Sequence, residues 1–292
     1  MNAVRAENAP IGLDGKVVVV TGGTQGLGAA TARMAADRGA AGVVVVGRDA
    51  VRGEQVAGAL EKESGTEALF VAVDLGDADA AERVMAAVDG RFGVVHGLVN
   101  AAAETDRGSV WDTTAALVDR LLAVNVRAPM LLMQGAARLM KREGIAGSIV
   151  NVGSVAGYGG EVFLLPYATS KGALHAMTRN AAFALMRDRI RVNLLNPGWM
   201  DTPAEDAIQR RYHGADDGWL EEAEARQPFG RLLDPAEVAR GICFLLSDES
   251  GMMTGACLDF DQSVVGAGPG PKATPLDVWG LDAVQDAVKA KP

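Results

Sequence analysis

The chain has 292 residues, of which 49% are hydrophobic and 22% are charged, so it can bury a sizeable core and lacks the composition of a disordered protein. Lys and Arg total 28 against 37 acidic residues, and the net charge of −9 argues against nucleic acid or an anionic membrane as the main partner. Two cysteines are too few for a disulfide framework or a zinc site. No apolar run approaches the ~18 residues of a membrane span, and residues 1–10 lack the apolar core of a secretory signal, so we expect a cytoplasmic protein without a metal.

Short runs of Val, Ile and Leu alternate with stretches of helical spacing along the chain. The predicted strands are 16–20, 42–46, 68–73, 94–99, 148–152, 190–195 and 256–260. Helices are predicted over 27–38, 113–142 and 167–187, and from 234 onwards. Two further helices are predicted after the second and third strands, and they end at about residues 63 and 92. Apolar strands that alternate with helices indicate a parallel sheet covered on both faces. The sequence therefore predicts an α/β fold, a Rossmann-like doubly wound sheet of seven parallel strands with helices on both faces.

The domain organisation follows from the same order of elements. Residues 14–265 contain no linker and are predicted to form a single catalytic domain, with a polar, aromatic-containing substrate lid at about 202–230. Residues 1–13 and 266–292 are expected to be N-terminal and C-terminal extensions.

A glycine-rich segment, Thr21–Gly28, lies between the first strand and the first helix. In open parallel sheets the ligand binds beyond the carboxyl ends of the strands. Glycines at this position permit a tight turn and let backbone N–H groups approach a pyrophosphate at the helix N-terminus. An ordinary glycine-rich turn is the alternative, but the strand–turn–helix context favours a nucleotide.

Several short motifs occur in one order along the chain: Gly22-xxx-Gly26-x-Gly28, Asn100-Ala101-Ala102, Asn125, Ser154, Tyr167-xxx-Lys171 and Pro197-Gly198. Together they resemble the short-chain dehydrogenase/reductase family in its single-domain form, and the match runs from about residue 14 to 263. One departure lies at 100–103, where the family commonly has Asn-Asn-Ala-Gly and this chain has Asn-Ala-Ala-Ala. The missing glycine concerns the backbone fit at that turn and not the fold, and Asn100 keeps its role of joining strands at the cofactor.

Tyr167 and Lys171 are four residues apart, so on a helix they project from one face. A free phenol has a pKa of ~10, and lowering that pKa to ~8 requires about 2.7 kcal/mol. A cation at ~5 Å in an effective dielectric of ~20 supplies about 3 kcal/mol, so Lys171 is expected to make Tyr167 a usable base. A half-buried tyrosine and a solvated lysine are the alternative, which Ser154 at the end of the preceding strand disfavours.

The resemblance implies an NAD(P)-dependent oxidoreductase that interconverts a secondary alcohol and a ketone by hydride transfer. Tyr167 is then the acid/base, and Ser154 hydrogen-bonds the same substrate oxygen. Lys171 also holds the nicotinamide ribose hydroxyls. Asn125 completes the catalytic set by supporting a water that connects Lys171 to solvent, or else makes only a structural side-chain bond.

The second strand ends in Gly47-Arg48, where an acidic residue would bind the adenosine ribose and repel a 2′-phosphate. Arg48 can pair with that phosphate, so the sequence favours NADP(H). NAD(H) is the alternative, in which Arg48 stacks on adenine or lies in solvent. The nearby carboxylate of Asp49 speaks for this alternative. Asp74 resembles the residue that contacts adenine, and a solvated loop acid is its alternative. The residues expected at the cofactor are Gly22, Thr24, Gln25, Gly26, Leu27, Gly28, Arg48, Asp74, Leu75, Asn100, Ala101, Ala102, Tyr167, Lys171, Pro197, Gly198, Met200 and Thr202.

The substrate residues expected from position are Ser154, Glu161, Trp199 and His213, although the lid aromatics could instead anchor the lid on the core. Glu161 and Glu104 favour a sugar or polyol. The alternatives are a 3-oxoacyl thioester reductase, a lyase or epimerase that uses the cofactor transiently, and a non-catalytic nucleotide-binding regulator. The predicted helices 113–142 and 167–187 carry apolar residues on more than one face, and one of these faces would be exposed unless another subunit covers it. Together with the oligomers usual in the family that the chain resembles, this predicts a homotetramer, or else a dimer.

Overall fold

Seven parallel strands form one sheet in the computed structural model, which describes residues 12–264. The strands are β1 (Val17–Thr21), β2 (Gly42–Gly47), β3 (Glu67–Ala72), β4 (Gly97–Asn100), β5 (Ser148–Val152), β6 (Arg191–Pro197) and β7 (Cys257–Phe260). Their order in the sheet is β3-β2-β1-β4-β5-β6-β7, and each neighbouring pair is parallel. This arrangement confirms the predicted doubly wound α/β fold.

The α-helices of the described residues cover both faces of the sheet. They are α1 (Gly26–Asp37), α2 (Ala50–Ser64), α3 (Ala80–Phe92), α4 (Ala115–Leu122), α5 (Ala128–Arg142), α6 (Leu165–Leu185), α7 (Pro203–His213), α8 (Trp219–Ala225) and α9 (Pro235–Leu246). Successive residues of a strand point to opposite faces, and accordingly Val18 and Val20 pack in one core while Val19 packs in the other. The first core includes residues of α1, α2 and α9, and the second includes residues of α3, α5 and α6. Burial on both faces explains the continuous apolar runs in the sequence.

The single long helix predicted over 113–142 is interrupted in the structure. A π-helical turn, Ala123–Arg127, separates α4 from α5. Pro129 in the first turn of α5 has no N–H to donate to the carbonyl of Asn125, four residues earlier, so a regular α-helix cannot continue through this point. The interruption places Asn125 beside the functional site described below.

The predicted lid at about 202–230 contains two helices, α7 and α8. Thr202 caps α7 by accepting a hydrogen bond from the Glu205 N–H at 3.1 Å. α7 has no buried residue, so its sequence carries no apolar stripe that would indicate a helix. The Trp219 indole donates to Asp206 at 2.8 Å, which ties α8 to α7 and supports an anchoring role for this aromatic residue.

Most of the expected terminal extensions, 1–13 and 266–292, lie outside the described residues. Leu13, which the sequence assigns to the N-terminal extension, is fully buried, and its N–H donates to the Arg38 carbonyl at 2.7 Å. Across residues 12–264, none of the helices has the length and apolarity needed to span a membrane. In the same range, no cluster of three or more His, Cys, Asp or Glu side chains is arranged to hold a metal ion.

Candidate active site

A cavity of about 710 Å³ opens at the carboxyl ends of the strands. The strand order reverses between β1 and β4, and a crevice forms at such a switch point because the flanking connections leave on opposite faces of the sheet. Of the residues that the sequence assigns to catalysis, cofactor or substrate, all line this cavity except Asn100 and Asn125. The structure thus brings together side chains from segments that are far apart along the chain.

The turn between β1 and α1 comes unusually close to the turn after β4. Gly22 has φ +66°, and a Cβ built there would lie 2.8 Å from the Cα of Ala102. A Cβ at Gly28 would overlap the backbone carbonyl oxygen of Gly22. Gln25 precedes α1 without a side-chain cap, so the first N–H groups of the helix stay available to an anion. This backbone cradle fits the pyrophosphate of a dinucleotide.

Thr21 holds the turn after β4 in place. Its hydroxyl accepts hydrogen bonds from the N–H groups of Ala101 and Ala102, both at 3.1 Å, and donates to the Val99 carbonyl at 3.3 Å. Asn100 lies behind the cavity wall, where its side-chain amide donates to Asn151 of β5 at 2.8 Å. Asn100 therefore joins β4 to β5, as the resemblance implies, and does so without lining the cavity.

Ser154 and Tyr167 meet at one wall of the cavity. Ser154 lies two residues beyond the end of β5. Its N–H donates to the Asn196 side chain at 3.2 Å, and its hydroxyl accepts the Ala156 N–H at 3.1 Å. Tyr167 lies in the first turn of α6, where the Ser154 side chain is near enough to its hydroxyl to act on the pKa of the phenol. Because these two hydrogen bonds hold the main chain and the hydroxyl of Ser154, the Ser154 and Tyr167 hydroxyls present a preorganised pair to the cavity.

Lys171 is buried on the same helix, with 2% of its surface exposed. Its ammonium donates to the Val152 carbonyl at 2.8 Å and lies 5.7 Å from the centre of the Tyr167 ring. Burial lowers the pKa of Lys171 to about 8. The cation on which the expected activation of Tyr167 depends is therefore itself close to losing its proton at mildly alkaline pH.

The pKa of Tyr167 is raised in this structure, so the expected lowering by Lys171 is wrong for the chain on its own. Burial of the phenol disfavours the phenolate and outweighs the hydrogen bond from Ser154 and the positive charge of Arg107, both of which act to lower the pKa. A neutral phenol can donate a proton but cannot accept one.

Asn125 is fully engaged through its side chain. The amide oxygen accepts the Glu104 N–H at 2.8 Å, and the amide nitrogen donates to the Glu104 carbonyl and to the Ser170 hydroxyl, both at 2.9 Å. The side chain thus makes the structural bonds that were the alternative to a proton relay. If Asn125 takes part in a proton relay, it does so through its main-chain carbonyl, because Pro129 has no N–H to donate to that carbonyl.

The far end of the cavity carries the basic residue expected from the sequence. A Cβ at Gly47 would lie 2.6 Å from the methyl carbon of Thr24, which leaves no room for an acidic side chain there unless Thr24 moves. The neighbouring Asp49 caps α2 by accepting the Arg52 N–H at 3.0 Å and also pairs with the Arg52 side chain. Arg48 lines the cavity and forms no salt bridge within residues 12–264.

Asp74 has a partner that the sequence did not reveal. Arg120 of α4 pairs with its carboxylate at 3.0 Å, and the Gly76 N–H donates to it at 2.7 Å. Partial burial opposes ionisation of Asp74, but these two donors outweigh it and hold its pKa below the usual value. Arg120 thus holds Asp74 in place, and only the folded chain brings the two residues together.

The opposite end of the cavity contains the predicted substrate residues. Trp199 is partly buried and donates to Glu205 at 2.8 Å, whereas Glu161 and His213 are exposed at the rim. The Phe163 and His213 rings pack edge to face with their centres 5.0 Å apart. Arg107, which the sequence did not single out, lines the same region. No motif marks it, because its place depends on the path of the loop after β4.

Comparisons with known proteins agree with this geometry. The sequence model of a family described as enoyl-(acyl carrier protein) reductase matches residues 22–263. The chain belongs to the short-chain dehydrogenase/reductase family. The cis-4-hydroxycyclohexanecarboxylate dehydrogenase of Sinomonas cyclohexanicum is 36% identical to it, over 84% of this chain and 95% of that protein. The NADP-dependent (R)-specific alcohol dehydrogenase of Lentilactobacillus kefiri is 35% identical, over 84% and 94%.

A solved structure gives the same result in three dimensions. The crystal structure of L-sorbose reductase from Gluconobacter frateurii, complexed with NADPH and L-sorbose, superposes with a TM-score of 0.82 at 27% identity. The match covers 89% of this chain and 100% of that one. The family assignment expected from the motifs is therefore confirmed.

The departure from the family motif at 100–103 causes no backbone strain. Among the described residues, Arg189 is the one non-glycine position with a positive φ, so Ala103 adopts a conformation open to any residue. The glycine that is missing there is not required by the backbone of this chain.

The glycine cradle is tested by Gly28→Ala, with Gly58→Ala in α2 as the control because a Cβ at Gly58 meets nothing within 4 Å. We expect Gly28→Ala to weaken NADPH binding by about tenfold or more, since the new methyl group must displace the Gly22 peptide. Fluorescence titration measures the binding, and circular dichroism establishes that both variants are folded. A folded Gly28→Ala protein that binds NADPH as tightly as Gly58→Ala would contradict the assignment.

Proposed function

We propose that this protein is an NADP(H)-dependent reductase of ketones and dehydrogenase of the corresponding secondary alcohols. The observation that carries the proposal is the convergence of Ser154, Tyr167 and Lys171 on one wall of a cavity whose other wall is the glycine cradle. A protein that only senses a nucleotide has no need of this set of three. The alcohol and sugar chemistry in the names of the similar proteins supports the same reaction class.

The glycine cradle and Lys171 would hold a nicotinamide dinucleotide, which would supply the hydride for reduction and accept it in oxidation. Tyr167 donates its phenolic proton to the carbonyl oxygen as that oxygen gains negative charge. Ser154 donates a hydrogen bond to the same oxygen and fixes its position. The raised pKa of Tyr167 keeps the phenol protonated at neutral pH, which is the state that reduction requires.

Alcohol oxidation runs the same proton transfer in reverse and requires the phenolate of Tyr167. Lys171, 5.7 Å from the centre of the Tyr167 ring, would favour that phenolate when it is charged, and it would hold the nicotinamide ribose hydroxyls of a bound cofactor. In the chain on its own, Lys171 loses its proton above a pH of about 8. Oxidation requires Tyr167 without its proton and Lys171 with its proton, so a rise in pH favours one requirement and opposes the other. Asn125 holds the loop at Glu104 and the start of α6 through Ser170, which keeps the wall of the site in place.

The preference for NADP(H) rests on Arg48, whose guanidinium lines the cavity and forms no salt bridge within the described residues. Position 47 offers no carboxylate to the ribose, and Asp49 is engaged with Arg52. The NADP dependence of the Lentilactobacillus enzyme and the NADPH in the L-sorbose reductase structure support the same preference. Arg120 holds Asp74 at the adenine end of the same crevice.

The substrate class we propose is a secondary alcohol on a ring or a polyhydroxylated chain. The similar proteins act on a hydroxycyclohexane ring and on L-sorbose, as their names state. Glu161 and His213 provide polar groups at the substrate end of this cavity, beside the aromatic rings of Phe163 and Trp199. We further propose that the protein is cytoplasmic.

The acid role of Tyr167 is tested by Tyr167→Phe, with Tyr212→Phe as the matched control, since the Tyr212 hydroxyl donates to Asp106 outside the cavity lining. We expect the kcat for ketone reduction by NADPH to fall about 10²–10⁴-fold in Tyr167→Phe because the proton donor is lost. The control is expected to stay within about threefold of wild type, and NADPH should bind to both variants. A Tyr167→Phe enzyme with turnover like that of the control would eliminate this mechanism.

Arg48→Ala tests the cofactor preference. We expect its kcat/KM with NADPH to fall at least about tenfold, because a charge-assisted contact to the 2′-phosphate is lost. The kcat/KM with NADH, which has no such phosphate, should change little and serves as the internal control. A wild-type enzyme that prefers NADH, or an Arg48→Ala enzyme that loses activity equally with both cofactors, would refute the preference.

We propose that the protein forms a homotetramer, or failing that a dimer, through the helices α4 to α6. These helices and the turn after α6 expose large apolar side chains, namely Leu122, Met130, Leu165, Phe183 and Met186. Phe183 is the most exposed of them at 77%. Such a set of side chains is better accommodated against another subunit than in water.

Phe183→Asp is expected to shift the protein to a smaller species, because a carboxylate in an apolar interface must be desolvated. Val51→Asp is the control, since Val51 is similarly exposed at 70% but lies on α2, in the other helical layer. Light scattering after size exclusion gives the mass of each. A monomeric wild type, or equal masses for wild type and Phe183→Asp, would rule the interface out.

A further inference from the structure

Arg107 lines the substrate end of the cavity, and within residues 12–264 no carboxylate forms a salt bridge with it. Its guanidinium carbon lies 5.6 Å from the centre of the Phe163 ring, and Nη1 donates to the Thr105 carbonyl at 2.9 Å. Nε is buried and has no hydrogen-bond partner, and Nη2 has none within residues 12–264. These two nitrogens form one edge of the guanidinium, the edge with which arginine makes two parallel bonds to a carboxylate.

The acidic residues around Arg107 do not neutralise it. Asp106 accepts hydrogen bonds from two side chains of α7, and Glu104 faces an arginine of α4 at 3.6 Å. Glu205 accepts an indole N–H at 2.8 Å and a side-chain amide at 2.7 Å. Glu161 is exposed at the rim and forms no salt bridge with Arg107. Since arginine does not lose its proton in proteins, the positive charge stays in the cavity and a buried donor stays unsatisfied.

The position of Arg107 relates it directly to the reacting group. Its charge acts to lower the pKa of Tyr167 and that of His213, so the guanidinium lies within electrostatic reach of both side chains. A substrate that engaged Arg107 would therefore have its anionic group at one end of the pocket and its carbonyl group towards Ser154 and Tyr167. The Phe163 ring supplies an apolar surface of the cavity beside Arg107 and His213.

We propose that Arg107 binds a carboxylate of the substrate, and that the enzyme selects ketones and secondary alcohols that carry one. The proposal rests on the proposed function as a ketone reductase and specifies its substrate class. It makes Arg107 a specificity-determining residue. The carboxylate supplies the hydrogen-bond acceptors that this edge of the guanidinium lacks, and it takes no part in hydride or proton transfer.

The test compares keto acids with their methyl esters, so that the charge alone is removed. The substrates are 3-oxobutanoate, 4-oxopentanoate and 4-oxocyclohexanecarboxylate, each with its methyl ester, because the series varies the distance from carbonyl to carboxylate. With NADPH, we expect wild type to prefer at least one acid over its ester. Arg107→Gln should lower kcat/KM for that acid by about 10–100-fold and for the ester by less than about threefold.

The ester is the control for the effect of Arg107 on Tyr167, because a change in the pKa of the phenol slows acid and ester alike. Arg107→Lys keeps the charge but not the two parallel bonds, and we expect an intermediate loss. Arg138→Gln, an exposed position on α5, controls for the removal of an arginine elsewhere. An equal loss for acid and ester in Arg107→Gln would overturn the proposal, as would a wild type that prefers every ester.

A binding measurement separates this proposal from the proposed function. Calorimetry of the NADPH complex with cyclohexanecarboxylate and with cyclohexanecarboxamide requires no turnover. We expect the carboxylate to bind more tightly than the amide to wild type, and Arg107→Gln to abolish that difference. Failure to reduce any ketone would refute the proposed function, whereas equal binding of carboxylate and amide to wild type would refute the role of Arg107.

Discussion

The close approach of two backbone turns at the centre of the sheet is the constraint on which the site depends. Gly22 can lie against Ala102 only because it has no side chain, and the Thr21 hydroxyl fixes both N–H groups of the facing turn. The reversal of strand order between β1 and β4 opens the crevice at this same point. The cofactor cradle and the floor of the cavity are therefore one structure, held by main-chain contacts that leave little freedom to relax.

Burial governs the chemistry of the reacting side chains. It lowers the pKa of Lys171 and raises that of Tyr167, so in both cases the uncharged form is favoured. A simple Coulomb estimate treats Lys171 as a full charge aimed at the phenol, but its ammonium donates to the Val152 carbonyl and lies over the ring. The positive charge that balances burial of the phenol must therefore be supplied in part by other groups, and within the chain Arg107 contributes some of it.

The sequence predicts the sheet and the site well because both depend on local patterns. Strands buried on two faces need continuous apolar runs, and each run ends in the small or polar residues that line the crevice. Features set by tertiary contacts were missed. The π-helical turn at Asn125 follows from a proline whose effect a helical pattern does not show, and α7 has no buried face to mark it. The partnership of Asp74 with Arg120 joins residues 46 positions apart, which no spacing rule connects.

The acidic net charge of this protein does not describe its cavity, which both basic and acidic side chains line. The chain carries a formal charge of −9, yet Arg48, Arg107 and Lys171 all line the cavity. Surface charges are screened over ~8 Å at physiological ionic strength, so the acidic exterior governs solubility and encounter more than the potential inside a crevice. Within the crevice, ligand binding depends on the few charges that have no partner. An acidic protein can thus favour an anionic cofactor at one end of its cavity and an anionic substrate at the other, and the overall balance of charge is no guide to either.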